Sequence, residues 1–144
     1  MQSFYVDTCI YLNLWRKEVF GGEHLWKFAL DFFKNAENNN STIYYSGFIL
    51  KEMLFILGEK EYLQKRFALE DAKNFKKIEL TKDEFKLAQR IKEKSTDNLS
   101  FFDIIHLLLA KKTNSTLITR DNLILENAKE FSVNATKPEE VTIY

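Results

Sequence analysis

Apolar residues along this chain fall into short unbroken runs and longer runs with helical spacing. The short runs predict strands at residues 3–6, 42–45, 78–80 and 115–119, with a last edge strand at 131–135. The longer runs predict helices at residues 8–17, 23–37, 47–57, 59–75, 81–94, 100–112 and 122–130. Short strands that alternate with longer helices are typical of a parallel sheet covered on both faces. We therefore predict an α/β protein with a three-layer α/β/α architecture and a central, mainly parallel sheet.

Nothing in the sequence divides the chain into separate units. There is no internal repeat, no low-complexity tract and no linker rich in Pro, Gly or Ser, and the only proline is Pro138. A length of 144 residues is ordinary for one domain. A hydrophobic share of 45% and an aromatic share of 15% supply one core and argue against disorder. The prediction is a single domain over residues 1–144.

Cysteine content and the length of the apolar runs indicate in which cellular compartment the protein is expected. With one cysteine the chain forms no internal disulfide, which suits a reducing cytoplasm. A bilayer span needs about 20 apolar residues, whereas the run Ile104–Ala110 is short and interrupted by His106. No basic leader begins the chain, so we expect a cytoplasmic protein without a membrane segment. The 21 basic and 21 acidic residues cancel, so a polyanion would have to bind at local patches.

Two aspartates are predicted to share one edge of the sheet. Asp7 directly follows the strand at 3–6, and Asp121 comes two residues after the strand that ends at Thr119. Because right-handed crossovers place the carboxyl ends of parallel strands at one edge, both acids are expected there. Each acid also has a structural interpretation, since aspartate is a good N-cap for the helices that begin at residues 8 and 122.

Two further acids lie within predicted helices. Asp103 lies in the first turn of the helix near Ser100, where it can be the acidic member of a capping box. The neighbours of Glu52 three and four positions away are Phe48, Ile49, Phe55 and Ile56. A carboxylate on such an apolar face needs a partner, because its desolvation is otherwise costly. The alternative is a position at the edge of the helix, from which the carboxylate reaches water.

If these four acids converge, a cation would be needed between them. Close carboxylate pairs repel by a few kcal/mol, on the order expected at intermediate dielectric. Mg²⁺ or Mn²⁺ relieves that repulsion and prefers oxygen ligands. An acidic metal site of this kind suits phosphoryl transfer to water. With only two histidines and one cysteine the usual zinc site is not indicated, and no glycine-rich phosphate loop is present.

Four short motifs follow one another in a recognisable order. They are Val6-Asp7-Thr8, Ser46 with Glu52 six residues later, Ser100-Phe101-Phe102-Asp103 followed by Ala110, and Thr119-Arg120-Asp121. This ordered set spans nearly the whole chain and resembles the motifs of PIN-domain ribonucleases. The closest similarity is to the VapC-type toxins of prokaryotic toxin–antitoxin pairs.

The resemblance implies a PIN-like α/β/α fold with an acidic pocket that binds Mg²⁺ or Mn²⁺. It implies that Asp7 and Asp103 are the principal metal ligands and that Glu52 supports the attacking water. Asp121 would complete the cluster. The supporting residues that the motifs supply are Thr119, Ser46 and Thr8.

The implied activity is metal-dependent cleavage of single-stranded or loop RNA, leaving 5′-phosphate and 3′-hydroxyl ends. The implied partner is an antitoxin protein. A homodimer is also expected, because the aromatic-rich segments 12–15 and 26–33 exceed what one small core easily buries. Two other functions stay open: a metal-dependent DNA or flap-type nuclease, since acidic pockets recognise phosphate, and a non-catalytic α/β interaction module whose acids are helix caps.

Other residues near these motifs are given structural interpretations. His106 lies one turn after Asp103 in an apolar run, which favours a packed histidine with one hydrogen bond over contact with a phosphate or the acid. Cys9 has no base placed beside it and is interpreted as a structural thiol. Basic residues form either a solvated face or an RNA contact, with Arg16 and Arg120 nearest the metal. The others are Lys60, Lys65, Arg66, Lys73, Lys76, Lys77, Lys111 and Lys112.

Overall fold

Strands and helices alternate along the chain, as the pattern of apolar residues predicts. The structure is a computed structural model that describes all residues, 1–144. Its elements are β1 (Ser3–Val6), α1 (Thr8–Trp15), β2 (Val19–Phe20), β3 (Glu23–His24), α2 (Leu25–Asn38), β4 (Thr42–Ser46), α3 (Gly47–Leu57), α4 (Glu59–Asp71), β5 (Phe75–Ile78), α5 (Lys82–Lys94), α6 (Phe101–Lys112), β6 (Thr116–Ile118), α7 (Asn122–Asn127) and β7 (Ala135–Thr136). Two short 3-10 helices lie at Ala128–Phe131 and Pro138–Glu140.

The central sheet has five parallel strands in the order β5-β4-β1-β6-β7. Strand β1 lies in the middle, where Phe4 pairs with Ile43 of β4 on one side and with Thr116 of β6 on the other. From β1 the chain builds outward through β4 and β5, and then crosses to the opposite side at β6. Ligands of open α/β sheets bind at the carboxyl end of such a switch point. The end of β1 is therefore the expected place for a site.

Two neighbouring residues of β1 show that helices cover both faces of the sheet. The Phe4 ring packs edge-on against Phe32 of α2, with 5.2 Å between centroids. The next ring, Tyr5, packs against His106 of α6 at 5.5 Å. Consecutive strand residues point to opposite faces, so α2 and α6 lie on opposite sides. The predicted three-layer α/β/α architecture is confirmed.

Two of the predicted strands lie at other positions in the structure. The strand predicted at 78–80 lies instead at Phe75–Ile78, where it pairs with Ile43–Ser46 of β4. Its middle residues Lys76 and Lys77 are exposed, so the apolar pattern misses it. The strand predicted at 131–135 is also wrong in position: a 3-10 helix ends at Phe131, and β7 begins only at Ala135.

A small hairpin forms where the sequence indicates only a break. Strands β2 and β3 pair antiparallel, with Phe20 opposite Glu23. The two loop residues, Gly21 and Gly22, have φ values of 58° and 81°. A two-residue turn with positive φ at both positions is the type that matches strand twist, and glycine adopts it without steric cost.

None of the helices has the length and hydrophobicity that a bilayer span requires.

Candidate active site

Polar helix caps collect at the carboxyl edge of the three middle strands. Asp7 directly follows β1 and caps α1, Ser46 ends β4 and caps α3, and Asp121 follows β6 and caps α7. Each strand thus ends in a side chain that satisfies the first N–H groups of the next helix. Because β4, β1 and β6 are neighbours, these three caps lie at one edge of the sheet.

Asp7 is a buried carboxylate that forms no salt bridge. Its side chain belongs to a residue that is 8% exposed, and no lysine or arginine forms a salt bridge with it. Its Oδ1 accepts the Thr8 N–H at 2.8 Å, and its Oδ2 accepts the Thr119 hydroxyl at 2.7 Å. Burial raises the pKa of Asp7, although the nearby His106 and the Thr119 hydrogen bond act in the opposite direction. A desolvated carboxylate in this state favours binding of a cation.

Glu52 is held beside Asp7 by two donors. Its Oε1 accepts the Thr8 hydroxyl at 2.9 Å and lies 2.8 Å from His106 Nε2. Its Oε2 makes no hydrogen bond within the chain, and the side chain is 29% exposed. Glu52 thus has the partners that its apolar helical face requires, and it also reaches water. The two interpretations of Glu52, a carboxylate with partners inside the protein and a carboxylate that reaches water, are therefore compatible.

His106 makes two hydrogen bonds, whereas one was expected from the sequence. The ring is buried, with Nε2 on Glu52 and Nδ1 2.7 Å from the Tyr5 hydroxyl. Burial acts to lower the pKa of His106, but the Glu52 hydrogen bond and the charges of Asp7, Glu52 and Asp103 outweigh it, so the pKa is raised. His106 is therefore part of the acidic group, not only a packed side chain.

Asp7, Glu52 and His106 form a compact group. One ligand atom from each lies within 4.8 Å of the other two. Since His106 Nε2 is engaged with Glu52, the donors open to a cation are the carboxylate oxygens of Asp7 and Glu52. Two carboxylates, one of them desolvated and unpaired, fit a hard divalent cation.

Asp103 lies outside this compact group. Its Oδ2 accepts the Ser100 N–H at 3.0 Å, and the Ser100 hydroxyl accepts the Asp103 N–H at 3.1 Å. This reciprocal pair is a capping box at the start of α6. The Asp103 charge is still close enough to favour the charged form of His106. Asp103 therefore lies at the rim of the group with one carboxylate oxygen engaged.

Asp121 is connected to Asp7 through Thr119. The Asp121 N–H donates to Thr119 Oγ1 at 3.0 Å, and the same hydroxyl donates to Asp7. The Asp121 carboxylate caps α7 by accepting the N–H groups of Leu123 and Ile124 at 2.9 and 3.3 Å. Thr119 thus joins the ends of β1 and β6, while Asp121 itself lies outside the compact group.

Tyr5 is the residue that sequence reasoning missed. Its buried hydroxyl lies 2.7 Å from His106 Nδ1 and 2.7 Å from Ser46 Oγ. A signal was present, because a phenol between Phe4 and Val6 in a buried central strand must find a hydrogen-bond partner.

Local contacts bear on the expectations for Arg120 and Cys9. The Arg120 guanidinium makes two hydrogen bonds to Glu139, at 2.9 and 2.8 Å, and a third to Asn13, so it fastens the C-terminal segment to α1. These contacts favour a structural role of Arg120 over an RNA contact. Cys9 Sγ donates to Asp7, and burial together with the Asp7 charge raises the pKa of the Cys9 thiol, which favours the structural interpretation.

The raised pKa of His106 predicts how the metal-free protein responds to pH. A group whose pKa is higher in the folded than in the unfolded state adds stability below its unfolded pKa, near 6.5 for histidine, and loses it as pH rises through the folded pKa. In EDTA, the free energy of unfolding should fall above pH 6.5, by at most about 1.4 kcal/mol per pH unit for one proton. Denaturant melts of wild type and His106→Gln test this, with His24→Gln as matched control. A slope that persists in His106→Gln would assign it to another group.

Comparisons with known proteins agree with this geometry. A family model described as PIN domain matches residues 4–130. Among proteins of curated function, none matches the sequence closely enough to count as a relative. FitAcB from Neisseria gonorrhoeae has a similar structure, with a TM-score of 0.62 at 13% identity over 96% of this chain and 99% of that one. FitAB bound to an IR36 DNA fragment gives 0.61 at 12% identity, over 98% and 99%.

A third solved structure shows the same likeness. It is a domain of a functionally unknown protein from Methanocaldococcus jannaschii, with a TM-score of 0.56 at 18% identity over 100% of this chain and 96% of that one. At these identities the structural likeness shows the fold alone. The family match is independent of it and covers β1 to α7 with all four acids. The chain belongs to the PIN-domain family.

Proposed function

We propose that the protein is a metal-dependent endoribonuclease of the VapC type. The observation that carries the proposal is the buried, unpaired Asp7 carboxylate next to Glu52 at the carboxyl edge of the sheet. A helix cap alone would not need a second carboxylate within reach, nor burial of the first. Both features favour a cation site, and the family resemblance directs that site to nucleic-acid hydrolysis.

The residues present supply distinct parts of such a reaction. Asp7 and Glu52, with Asp103 at the rim, would hold a Mg²⁺ or Mn²⁺ ion, which activates water and neutralises charge on the phosphate oxygens when bound. Thr8 and Thr119 fix the two carboxylates through their hydroxyls. The free Oε2 of Glu52 would contact the cation and orient the attacking water beside it.

The proposed reaction is hydrolysis of one phosphodiester bond. In-line attack of water on phosphorus forms the new P–O bond and breaks the bond to the 3′ oxygen. The attacking water releases a proton to solvent, and the leaving 3′ oxygen takes up a proton from solvent to become a hydroxyl. The products are 5′-phosphate and 3′-hydroxyl ends.

Exposed apolar side chains support protein partners. The aromatic segments 12–15 and 26–33, from which a homodimer was expected, are mostly half-buried or buried. Large exposed apolar residues lie instead on α3 and α4, where Phe55 is 77%, Leu63 54% and Phe67 71% exposed, and on the β2–β3 hairpin, where Phe20 is 78% exposed. Exposed apolar patches mark interaction sites. We propose that an antitoxin packs on α3 and α4, whereas the burial of segments 12–15 and 26–33 removes the ground on which a homodimer was expected.

Cleavage of RNA and DNA of the same sequence tests the proposed function. We expect purified protein with Mg²⁺ or Mn²⁺ to cut single-stranded RNA, to leave 5′-phosphate ends, and to be inactive in EDTA. DNA cleavage without RNA cleavage would assign a DNA nuclease instead. No cleavage of either, with no effect of metal on the melting temperature, would favour the interaction module.

A further inference from the structure

A buried chain of hydrogen bonds connects Glu52 to the interior of the sheet. Ser46 Oγ lies 2.7 Å from the Tyr5 hydroxyl, which lies 2.7 Å from His106 Nδ1, and His106 Nε2 lies 2.8 Å from Glu52 Oε1. Ser46, Tyr5 and His106 are each at most 1% exposed. The chain therefore runs through β4, β1, α6 and α3 without contact with solvent until it reaches the carboxylate.

With the His106 ring uncharged, the donors and acceptors of this chain fit one direction. Ser46 Oγ accepts the Ile49 N–H at 3.3 Å, so its own proton is free for Tyr5. Tyr5 then donates to His106 Nδ1, and the Nε2–H of the ring donates to Glu52. The opposite tautomer would place the lone pair of Nε2 against the carboxylate oxygen, which is repulsive. Every hydroxyl proton is used once, and each points toward Glu52.

We propose that Tyr5 and His106 are positioning residues that fix Glu52 for the reaction. With Oε1 held by His106 and Thr8, only Oε2 is left for water or a cation. The inference rests on the proposed nuclease function, which it deepens. Groups that orient the ligands of a metal site typically change metal affinity or activity by about 10- to 100-fold when they are removed. A histidine and a phenol that only filled the core would have no such effect.

The chain offers a matched control for Tyr5. Tyr11 on α1 is also buried, at 2% exposure, but its hydroxyl has no hydrogen-bond partner. Tyr5→Phe and Tyr11→Phe therefore remove the same atom from two buried tyrosines. Only the first substitution breaks the hydrogen-bond chain.

The first measurement uses metal-free protein and does not depend on activity. The nitrogen NMR spectrum of histidine-labelled protein shows signals from only two rings, His106 and the exposed His24. With the His106 ring uncharged, we expect the ring proton of the wild type to be on Nε2. In Tyr5→Phe the Nδ1 resonance should move toward that of a free imidazole, whereas in Tyr11→Phe it should stay as in wild type. A proton on Nδ1 in wild type, or an Nδ1 resonance that Tyr5→Phe leaves unchanged, would overturn the inference.

The second measurement separates positioning from packing. Well below the melting temperature, Tyr5→Phe should lower kcat about 10- to 100-fold with little change in KM, and it should weaken Mn²⁺ binding about tenfold. Tyr11→Phe should match wild type in both. Equal kcat and Mn²⁺ affinity in the two variants would leave Tyr5 a purely structural residue and refute the proposal.

Other measurements apply if Tyr5→Phe does not fold or if the wild-type protein cleaves no RNA. If Tyr5→Phe does not fold, His106→Gln and His106→Leu replace it: the glutamine amide still donates an N–H to Glu52, so it should retain more activity and tighter Mn²⁺ binding than leucine. If wild type cleaves no RNA, the nuclease proposal fails by itself. The Nδ1 resonance and the Mn²⁺ affinities then still decide whether the chain positions Glu52.

Discussion

Asp7→Asn is expected to reduce metal-dependent RNA cleavage by about three orders of magnitude while the protein stays folded. A neutral amide does not hold the cation, so several kcal/mol of transition-state stabilisation are lost, and each 1.36 kcal/mol corresponds to about tenfold in rate. Asparagine still caps α1, because its oxygen accepts the Thr8 N–H. One buried charge is also removed, so the metal-free protein should keep or gain stability at neutral pH.

Asp31→Asn is the matched control for this variant. Asp31 lies on α2 and is exposed, so the same chemical change there should leave both cleavage and stability as in wild type. The measurement is the rate of cleavage of a labelled RNA, with folding checked by circular dichroism. Wild-type cleavage by a well-folded Asp7→Asn protein would remove the nuclease assignment.

The second large effect is expected at Asp103, where capping and catalysis are separable. If Asp103 contributes to the cation site, Asp103→Asn should lower cleavage by about 100-fold or more, with little loss of stability, since the amide oxygen still accepts the Ser100 N–H. Ser100→Ala breaks the same capping box but keeps the carboxylate. It should cost about 1 kcal/mol of stability and leave cleavage near wild type.

If Asp103 both caps α6 and binds the cation, Asp103→Asn should lose cleavage but keep stability, and Ser100→Ala should lose stability but keep cleavage. Cleavage rates and denaturant melts of the two variants measure this contrast. The reverse pattern, in which Asp103→Asn only loses stability and cleaves RNA normally, would make Asp103 a helix cap and nothing more. The structure makes this contrast informative, because Asp103 is part of a capping box and also lies near His106.

The parts of this protein that follow from local sequence could be predicted. An apolar strand followed by Asp7 and a capping box at Ser100 each depend on a few adjacent residues, and the structure contains both. The need of Glu52 for a partner also followed from its apolar helical neighbours. Its partners Thr8 and His106 were out of reach, because they lie 44 and 54 residues away in the sequence.

The parts that were missed depend on tertiary context. Strand β5 is defined by pairing with β4, and its exposed lysines carry no apolar signal. The contact of Tyr5 with His106 joins a strand and a helix that are 101 residues apart. In each case the determining interaction is non-local, and the local residues alone are compatible with another structure.

Capping and chemistry are not exclusive roles at this edge of the sheet. Asp7, Asp103 and Asp121 all cap helices, as the structural interpretation of each acid requires. Only Asp7 is also buried next to a second carboxylate. The cap fixes the carboxylate of Asp7 in place before any ligand arrives, which reduces the entropy lost on binding.

A single Mn²⁺ titration decides whether Asp7 holds the cation on which cleavage depends, with free Mn²⁺ followed by electron paramagnetic resonance and RNA cleavage measured in the same samples. Bound Mn²⁺ and the cleavage rate should rise together with one midpoint in wild type, and Asp7→Asn should show neither. RNA cleavage that persists in EDTA, or Mn²⁺ binding by Asp7→Asn with the wild-type midpoint, would show that Asp7 does not hold a catalytic cation.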